Sequence, residues 1–551
     1  MIEELTPQVL MASMALIILT APVVTLVISL VLISRYRRAV AREMAATVGF
    51  RSGAPSVPAE PVPRPRGDAA LYRRMLRGAR MNAMRYALAG GVFALVFAVA
   101  AHFVYPSGLG VPGFLVAVWI YFWPVLVALP LIVPAMGRAW FAWVFGYFAV
   151  LALLGVWAST VMNLPAFTFG AISLPERSTM TPAGMIRLWL TVNAGPTLLA
   201  WLCLRRRVRA VAPLVLAIVT VALVGTLTAA LALFSPRGVD AAVAFSVATG
   251  VHVGWLVAAT YAGALAGFGV LGWLFARAIA HAYRQRRASD QSLMVDSLFA
   301  VFAATYGMWL VLGGVAWIAT AALALAAYGL TWAAMASIFA ARSGIAPGLA
   351  FLRVFSLGRR SESLLDAVAG YWRIVGTVQM ITGPDVAHAT VQPHQFLDFL
   401  SGTLGRHFVR DDASLERSLA QAERTPDPDG RFRINSFFCH ADSWQAVLPR
   451  LVRAGDIVLM DLRNFSAANA GCLHELRYLA REVPVDRCVL IVDHTTDEAF
   501  LELALQQARE QLPLESPDRQ RDFGADAMYR FRSGGGGVRD LLRRLCAAAG
   551  D

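Results

Sequence analysis

Side chains able to hold a ligand collect in one stretch, 456–480, DIVLMDLRNFSAANAGCLHELRYLA. Residues 457–460 form a fully apolar run, the pattern of a strand buried on both faces of a parallel sheet. The run ends in Asp461, and the following loop carries Arg463, Asn464, Ser466 and Asn469. Cys472, Leu473, Leu476 and Leu479 then recur at helical spacing, with Glu475 near the start of that helix. In an open α/β sheet, polar groups just past a strand's carboxyl end stand where ligands bind. Two more strand ends add Ser356 with Arg359 and Arg360, and Asp493 with His494. Asp461 and Asp493 are expected at corresponding places on adjacent strands, where a carboxylate pair suits ribose hydroxyls or a divalent cation. Equally, each caps its own turn or helix, for which a short acidic side chain is favoured. Leu476 and Leu479 mark the buried face of the helix, so Glu475 is expected at its margin, facing the cleft. Cys439, His440, Cys472, His474 and His494 match no zinc spacing, so no metal is expected. Neither a G-x-G-x-x-G nor a Walker sequence occurs.

The pair Asn464-Phe465, followed by Gly471-Cys472-Leu473-His474-Glu475-Leu476, resembles the signature of TIR (Toll/interleukin-1 receptor) domains. In that family an N-F or N-Y pair leads to W-C-x-x-E-L; Gly471 stands at the tryptophan position, and Asp461-Leu462 replace the strand-end serine. The resemblance covers roughly 435–510. It implies a flavodoxin-like sheet of five strands. It also implies that Glu475 matches the glutamate with which enzymatic members cleave NAD, the substrate in that case. Two function classes follow. One is a sensor or signalling protein whose α/β domain is a binding or self-association module, with a nucleotide as candidate ligand. The other is an NAD- or nucleotide-cleaving effector restrained by a membrane region. A transporter with a regulatory domain comes third.

The elements that must position these residues follow from composition. Of 551 residues, 57% are hydrophobic and 15% charged, and the mean hydropathy is +0.57, which points to an integral membrane protein with the lipid bilayer as a partner. The formal charge of +13 sits largely in arginine clusters flanking apolar runs, the mark of membrane orientation and not of nucleic acid. Residues 1–34 read as a first, uncleaved span, since the run 9–33 is too long for a signal peptide and its arginines follow it. Residues 35–85 read as a Pro-rich linker and a basic amphipathic helix. That helix either lies on the inner leaflet or extends the next span. Residues 86–341 hold about eight further spans, at 86–105, 112–134, 139–161, 186–204, 211–234, 250–275, 297–317 and 320–340, the last two a hairpin turning near 317–320. Arg138, Arg205–Arg207, Arg284–Arg287 and Arg342 then all fall on the cytosolic side of an inner or plasma membrane, with the N-terminus outside. Asn193 beside Gly195-Pro196 reads as a packing kink or a broken helix.

Beyond Arg342 the pattern changes. Strand-like runs at 349–355, 377–381, 434–438, 457–460, 488–492 and 528–531 alternate with helical patterns at 361–374, 393–405, 442–454, 470–482, 497–512 and 537–548. That alternation predicts a cytosolic α/β domain over 345–551, a doubly wound, mostly parallel sheet, with a polar insertion at 410–432. Through this domain the chain is expected to form a homo-oligomer.

Overall fold

The structure is a computed structural model. It describes residues 2–46, 69–105, 109–133, 139–161, 182–203, 211–338, 346–354, 359–382, 404–440, 443–512, 526–532 and 535–549, with isolated positions between. The Pro-rich stretch 55–65, Arg138, Arg205–Arg207, Arg342, Ser356 and Asp385 lie outside the described residues. Two compact units emerge. One comprises Met1–Ile33, Ala83–Ile132 and Met136–Phe339; the other comprises Ser34–Asn82, Val133–Ala135 and Ala340–Asp551.

The first unit is helical. It holds the apolar parts of α1 (Ile2–Ala45) and α2 (Ala69–Val104), then α3 (Gly110–Tyr121), α4 (Trp123–Ile132), α5 (Ala139–Val161), α6 (Pro182–Cys203), α7 (Ala212–Leu233), α8 (Pro236–Thr249), α9 (Val253–Arg284), α10 (Asp290–Leu310) and α11 (Ala319–Ile338). Among the described residues, seven helical stretches are long and apolar enough to cross a membrane. The pattern predicts nine, and α1 and α6 are the two outside that set; Arg187, Asn193 and Pro196 dilute the apolar character of α6. Almost every residue of α10 is buried, and its Tyr306 meets the rings of Phe93, Phe97, Tyr121 and Phe302 at 4.8–6.2 Å.

Proline explains the polar pair in this apolar core. Pro124 has no N–H to give the Ile120 carbonyl four residues back. Asn193 Nδ2 donates to that carbonyl at 3.3 Å, and Asn193 Oδ1 accepts from the Tyr306 hydroxyl at 2.5 Å. The helix around Asn193 is therefore not broken, because α6 runs unbroken through Pro196. The reversal between α10 and α11 falls earlier than the predicted 317–320. Gly314 makes it, at φ +134° and ψ 146° between two short 3-10 turns, a conformation essentially confined to glycine.

The second unit is built on a parallel sheet of β1 (Gly348–Arg353), β2 (Thr377–Thr382), β3 (Phe408–Val409), β4 (Ile434–Cys439), β5 (Ile457–Asp461), β6 (Cys488–Val492) and β7 (Met528–Arg530). The strand order is β3-β4-β2-β1-β5-β6-β7. The five strands β2-β1-β5-β6-β7 have the flavodoxin-like order 2-1-3-4-5, and β4 and β3 extend the β2 edge. All six predicted strands are present. β3 has only two residues, too few for a pattern to reveal. Helices cover both faces: α12 (Arg359–Trp372) and α17 (Gly535–Ala548) on one, α14 (Trp444–Ala454), α15 (Ala470–Glu482) and α16 (Glu498–Glu510) on the other. The predicted polar insertion contains α13 (Asp412–Ala420) and a turn in which Arg433 holds Asp427 at 2.8 Å and Glu423 at 3.2 Å.

Two segments from outside 345–551 complete this core. Leu71 and Met75 at the start of α2 pack with Trp372, Leu541 and Leu545. Tyr36, Val40 and Met44 at the end of α1 pack with Leu404, Phe408 and Phe438. The basic helix at 68–85 is thus the leading part of one continuous helix, with its apolar side on protein and not on lipid. In the apolar core, Asn193→Leu would remove the side-chain donor to the Ile120 carbonyl and the acceptor of the Tyr306 hydroxyl. It is expected to lower the melting midpoint of the detergent-purified full chain by about 2–4 °C, the equivalent of roughly 1 kcal/mol; an unchanged midpoint would show that the Asn193 bond adds nothing.

Candidate functional site

The chain leaves β1 toward β2 on one side and β5 toward β6 on the other, so a crevice opens between the carboxyl ends of β1 and β5. Register puts Arg353 opposite Asp461, and Asp461 opposite Ile491. Asp493 therefore lies two residues beyond the level of Asp461, and the two aspartates do not hold corresponding places. Each has taken an arginine instead. Asp461 is fully buried, and its two oxygens accept from Arg463 Nε and Nη2 at 2.7 Å each. Arg463 also donates to the Arg360 carbonyl at 3.1 Å and lies 5.3 Å from the centre of the Phe531 ring. Asp461 is thus half of a buried, two-pronged ion pair and not a simple cap. Removing one member of such a pair typically costs about 3–5 kcal/mol, because the other charge is left in the core.

The outer rim is braced in the same way. Arg360 meets Asp493 at 2.5 Å, and Asp493 Oδ1 accepts from the Thr495 amide at 2.9 Å and hydroxyl at 2.5 Å. Partial burial pushes the Asp493 carboxyl up, but the Thr495 bonds and the Arg360 charge outweigh it and hold it below the usual range. Asn464 has φ +61°, a left-handed conformation that asparagine tolerates, and its amide donates to Thr495 Oγ1 at 3.1 Å. The Ser466 amide and hydroxyl both donate to Asn469 Oδ1, at 2.9 and 3.3 Å. Asp461, Arg463, Asn464 and Asp493 are therefore brought together at one rim, while Ser466 and Asn469 pair with each other. Arg359 opens α12, but its side chain, like all of Ser356, lies outside the described residues.

Glu475 is not at the margin of its helix. Cys472, Glu475, Leu476 and Leu479 stand at i, i+3, i+4 and i+7, which is one stripe, and all four are buried in α15. Glu475 is 1% exposed, and its Oε2 has no hydrogen-bond partner. Burial pushes its carboxyl up to about 8, against a smaller opposing pull from the Arg353 charge. Burial thus disfavours the charged form of this side chain relative to an exposed glutamate. Arg353 was missed by the sequence pattern because it sits inside an apolar run. A charged residue in the last place of a central strand was the available signal.

Gly471, at the tryptophan position of the motif, faces Trp444 of α14; a Cβ there would lie 3.9 Å from the indole ring. Trp444 in turn stands edge-on to His474 at 5.6 Å. His440 Nδ1 lies 2.6 Å from the Glu43 carbonyl oxygen, and burial raises the Cys439 thiol to about 12. No three His, Cys, Asp or Glu side chains converge as a metal site among the described residues. Comparison with protein-family models, with characterised proteins and with solved structures returns no match.

The Glu475 carboxyl makes stability depend on pH. Above its ordinary range but below about 8, the unfolded chain releases this proton and the folded chain keeps it, so stability falls as pH rises through that window. Glu475→Gln keeps the shape and removes the titration. Melting of the full chain between about pH 5 and pH 9 should show a shallower decline in the variant, and the variant should be the more stable at the alkaline end. Parallel curves would mean that Glu475 does not titrate in this window.

Proposed function

We propose that this chain is a multi-span protein of the inner or plasma membrane, with the N-terminus outside and the sheet domain in the cytosol. In this reading the TIR-like domain is a binding or self-association module of a sensor or signalling protein, and not an enzyme. The observation that carries the reading is the enclosure of Glu475, 1% exposed on the buried stripe of α15, where burial pushes its carboxyl up to about 8. Cleaving the nicotinamide–ribose bond needs an ionised carboxylate against the sugar, and here the group is closed off from solvent and its burial disfavours the charged form. Around it, Asp461 and Asp493 are held by arginines. A crevice braced by its own ion pairs suits a part that recognises or assembles.

Membrane residence is supported by the seven apolar helical stretches and by large apolar side chains left exposed, among them Trp255 at 74% and Phe145 at 78%. In water such a surface would aggregate; in a bilayer it meets hydrocarbon. Sensing suits the layout because α1 and α2 each contribute residues to both compact units. One observation favours the NAD-cleaving reading. A buried carboxyl oxygen without a partner costs about 1–3 kcal/mol, and such unfavourable groups gather at functional sites. In that reading the rim would have to open before Glu475 could act.

The test uses the full chain in lipid nanodiscs, incubated with NAD and assayed for free nicotinamide. No release is expected, whether the chain is dilute or crowded. Release that Glu475→Gln abolishes would overturn the module reading in favour of the hydrolase.

A further inference from the structure

Every one of the 49 basic residues of the chain is arginine; lysine does not occur. Two groups of these arginines share one arrangement. On α1, Tyr36, Val40 and Met44 form a buried stripe, while Arg35, Arg38 and Arg42 are exposed at i, i+3 and i+7. On α2, Leu71, Met75 and Ala79 are buried, while Arg73, Arg74, Arg77 and Arg80 are exposed. Among the described residues none of the seven meets a carboxylate; Arg38 Nε donates only to the Ser34 carbonyl of its own helix, at 3.4 Å. Within 34–46 and 69–85 the single acid is Glu43, and it pairs with Arg410 at 3.1 Å. Seven cations with no carboxylate partner among the described residues therefore line two helices.

Their position along those helices selects the partner. The α1 stripe begins two residues after the apolar run ends at Ile33, and the α2 stripe stops six residues before Tyr86, where the apolar part of that helix begins. Six helical residues rise about 9 Å, so the near end of each stripe, Arg35 on α1 and Arg80 on α2, lies within roughly one Debye length of the hydrocarbon edge, and the rest of each stripe continues away from it on the same helix face. A guanidinium fork binds a phosphate through two parallel hydrogen bonds, where an ammonium acts as a point charge.

We infer that the α1 and α2 arginine stripes bind the phosphates of anionic phospholipids in the leaflet on the side of the sheet domain. This rests on the membrane reading and is independent of whether the sheet domain is a module or an enzyme. Binding holds the outer sides of α1 and α2 at the headgroups while their inner sides stay in the sheet-domain core.

The full chain is purified in detergent, exposed to equal amounts of phosphatidylglycerol and phosphatidylcholine, and washed, and the retained lipid is measured by mass spectrometry. The wild type should retain the anionic lipid roughly tenfold over the zwitterionic one. Replacing all seven arginines by glutamine should abolish that preference, and replacing them by lysine should leave a reduced one. Equal retention of the two lipids by the wild type, or an unchanged preference in the glutamine variant, would overturn the inference. If the glutamine variant fails to assemble, the wild type alone decides. Added sodium chloride should release the anionic lipid progressively; no release would overturn the inference, and greater release by inorganic phosphate at equal ionic strength would reassign the stripes to free phosphate. A chain recovered in the soluble fraction would instead sink the membrane reading beneath it.

Discussion

A carboxylate shut away from water must meet a cation in the same place, and at the end of β5 that demand shapes the whole rim of the sheet. Asp461 is fully buried beside Arg353 on β1. Arg463, two residues on, folds back to grip both of its oxygens, and by doing so it can reach the Arg360 carbonyl and the Phe531 ring. One ion pair thereby ties together the segments after β1, β5 and β7. Arg360 completes the brace through Asp493 and Thr495, and Thr495 fixes the Asn464 amide. On α15, Glu475 is 1% exposed and shares the buried stripe of Cys472, Leu476 and Leu479. Its burial follows from the stripe it occupies, and the upward push on its carboxyl follows from its burial.

The sheet domain also depends on helices from elsewhere in the chain. A parallel sheet must be covered on both faces, and on the α12–α17 side part of the cover comes from the beginning of α2, while the end of α1 covers Phe408 and Phe438. A fragment starting at 345 would lose both pieces and expose the apolar residues beneath them. The same two helices continue as apolar segments in the first unit.

Sequence pattern revealed the repeating parts of this fold and missed those decided by single contacts. Runs such as 457–460 and 488–492 give their strands away because burial on both faces demands unbroken apolar residues. β3 was invisible because two residues carry no period, and its place is fixed by pairing with Phe438 and Cys439. The break falls at Gly314 and not at 317–320; the unbroken apolar block 297–340 does not say which glycine takes a positive φ. At the site, Asp461, Arg463, Asn464 and Asp493 are legible as a polar rim, but the pairing of Asp493 with Arg360 and of Asp461 with Arg463 is not, since ion pairing depends on side chains meeting in space. Leu476 and Leu479 alone leave Glu475 at the margin of the buried face; counting Cys472 as part of that face, at i, i+3, i+4 and i+7, puts Glu475 on the stripe.

The central claim is that Glu475 is an enclosed carboxylic acid, not a carboxylate facing a substrate. Infrared difference spectroscopy on the full chain in detergent tests this most directly, with Glu475→Gln as the reference. A band of a protonated carboxyl group is expected at neutral pH, absent from the variant and fading as the pH passes about 8. A carboxylate band at neutral pH, assigned to Glu475 by its loss in the variant, would contradict it.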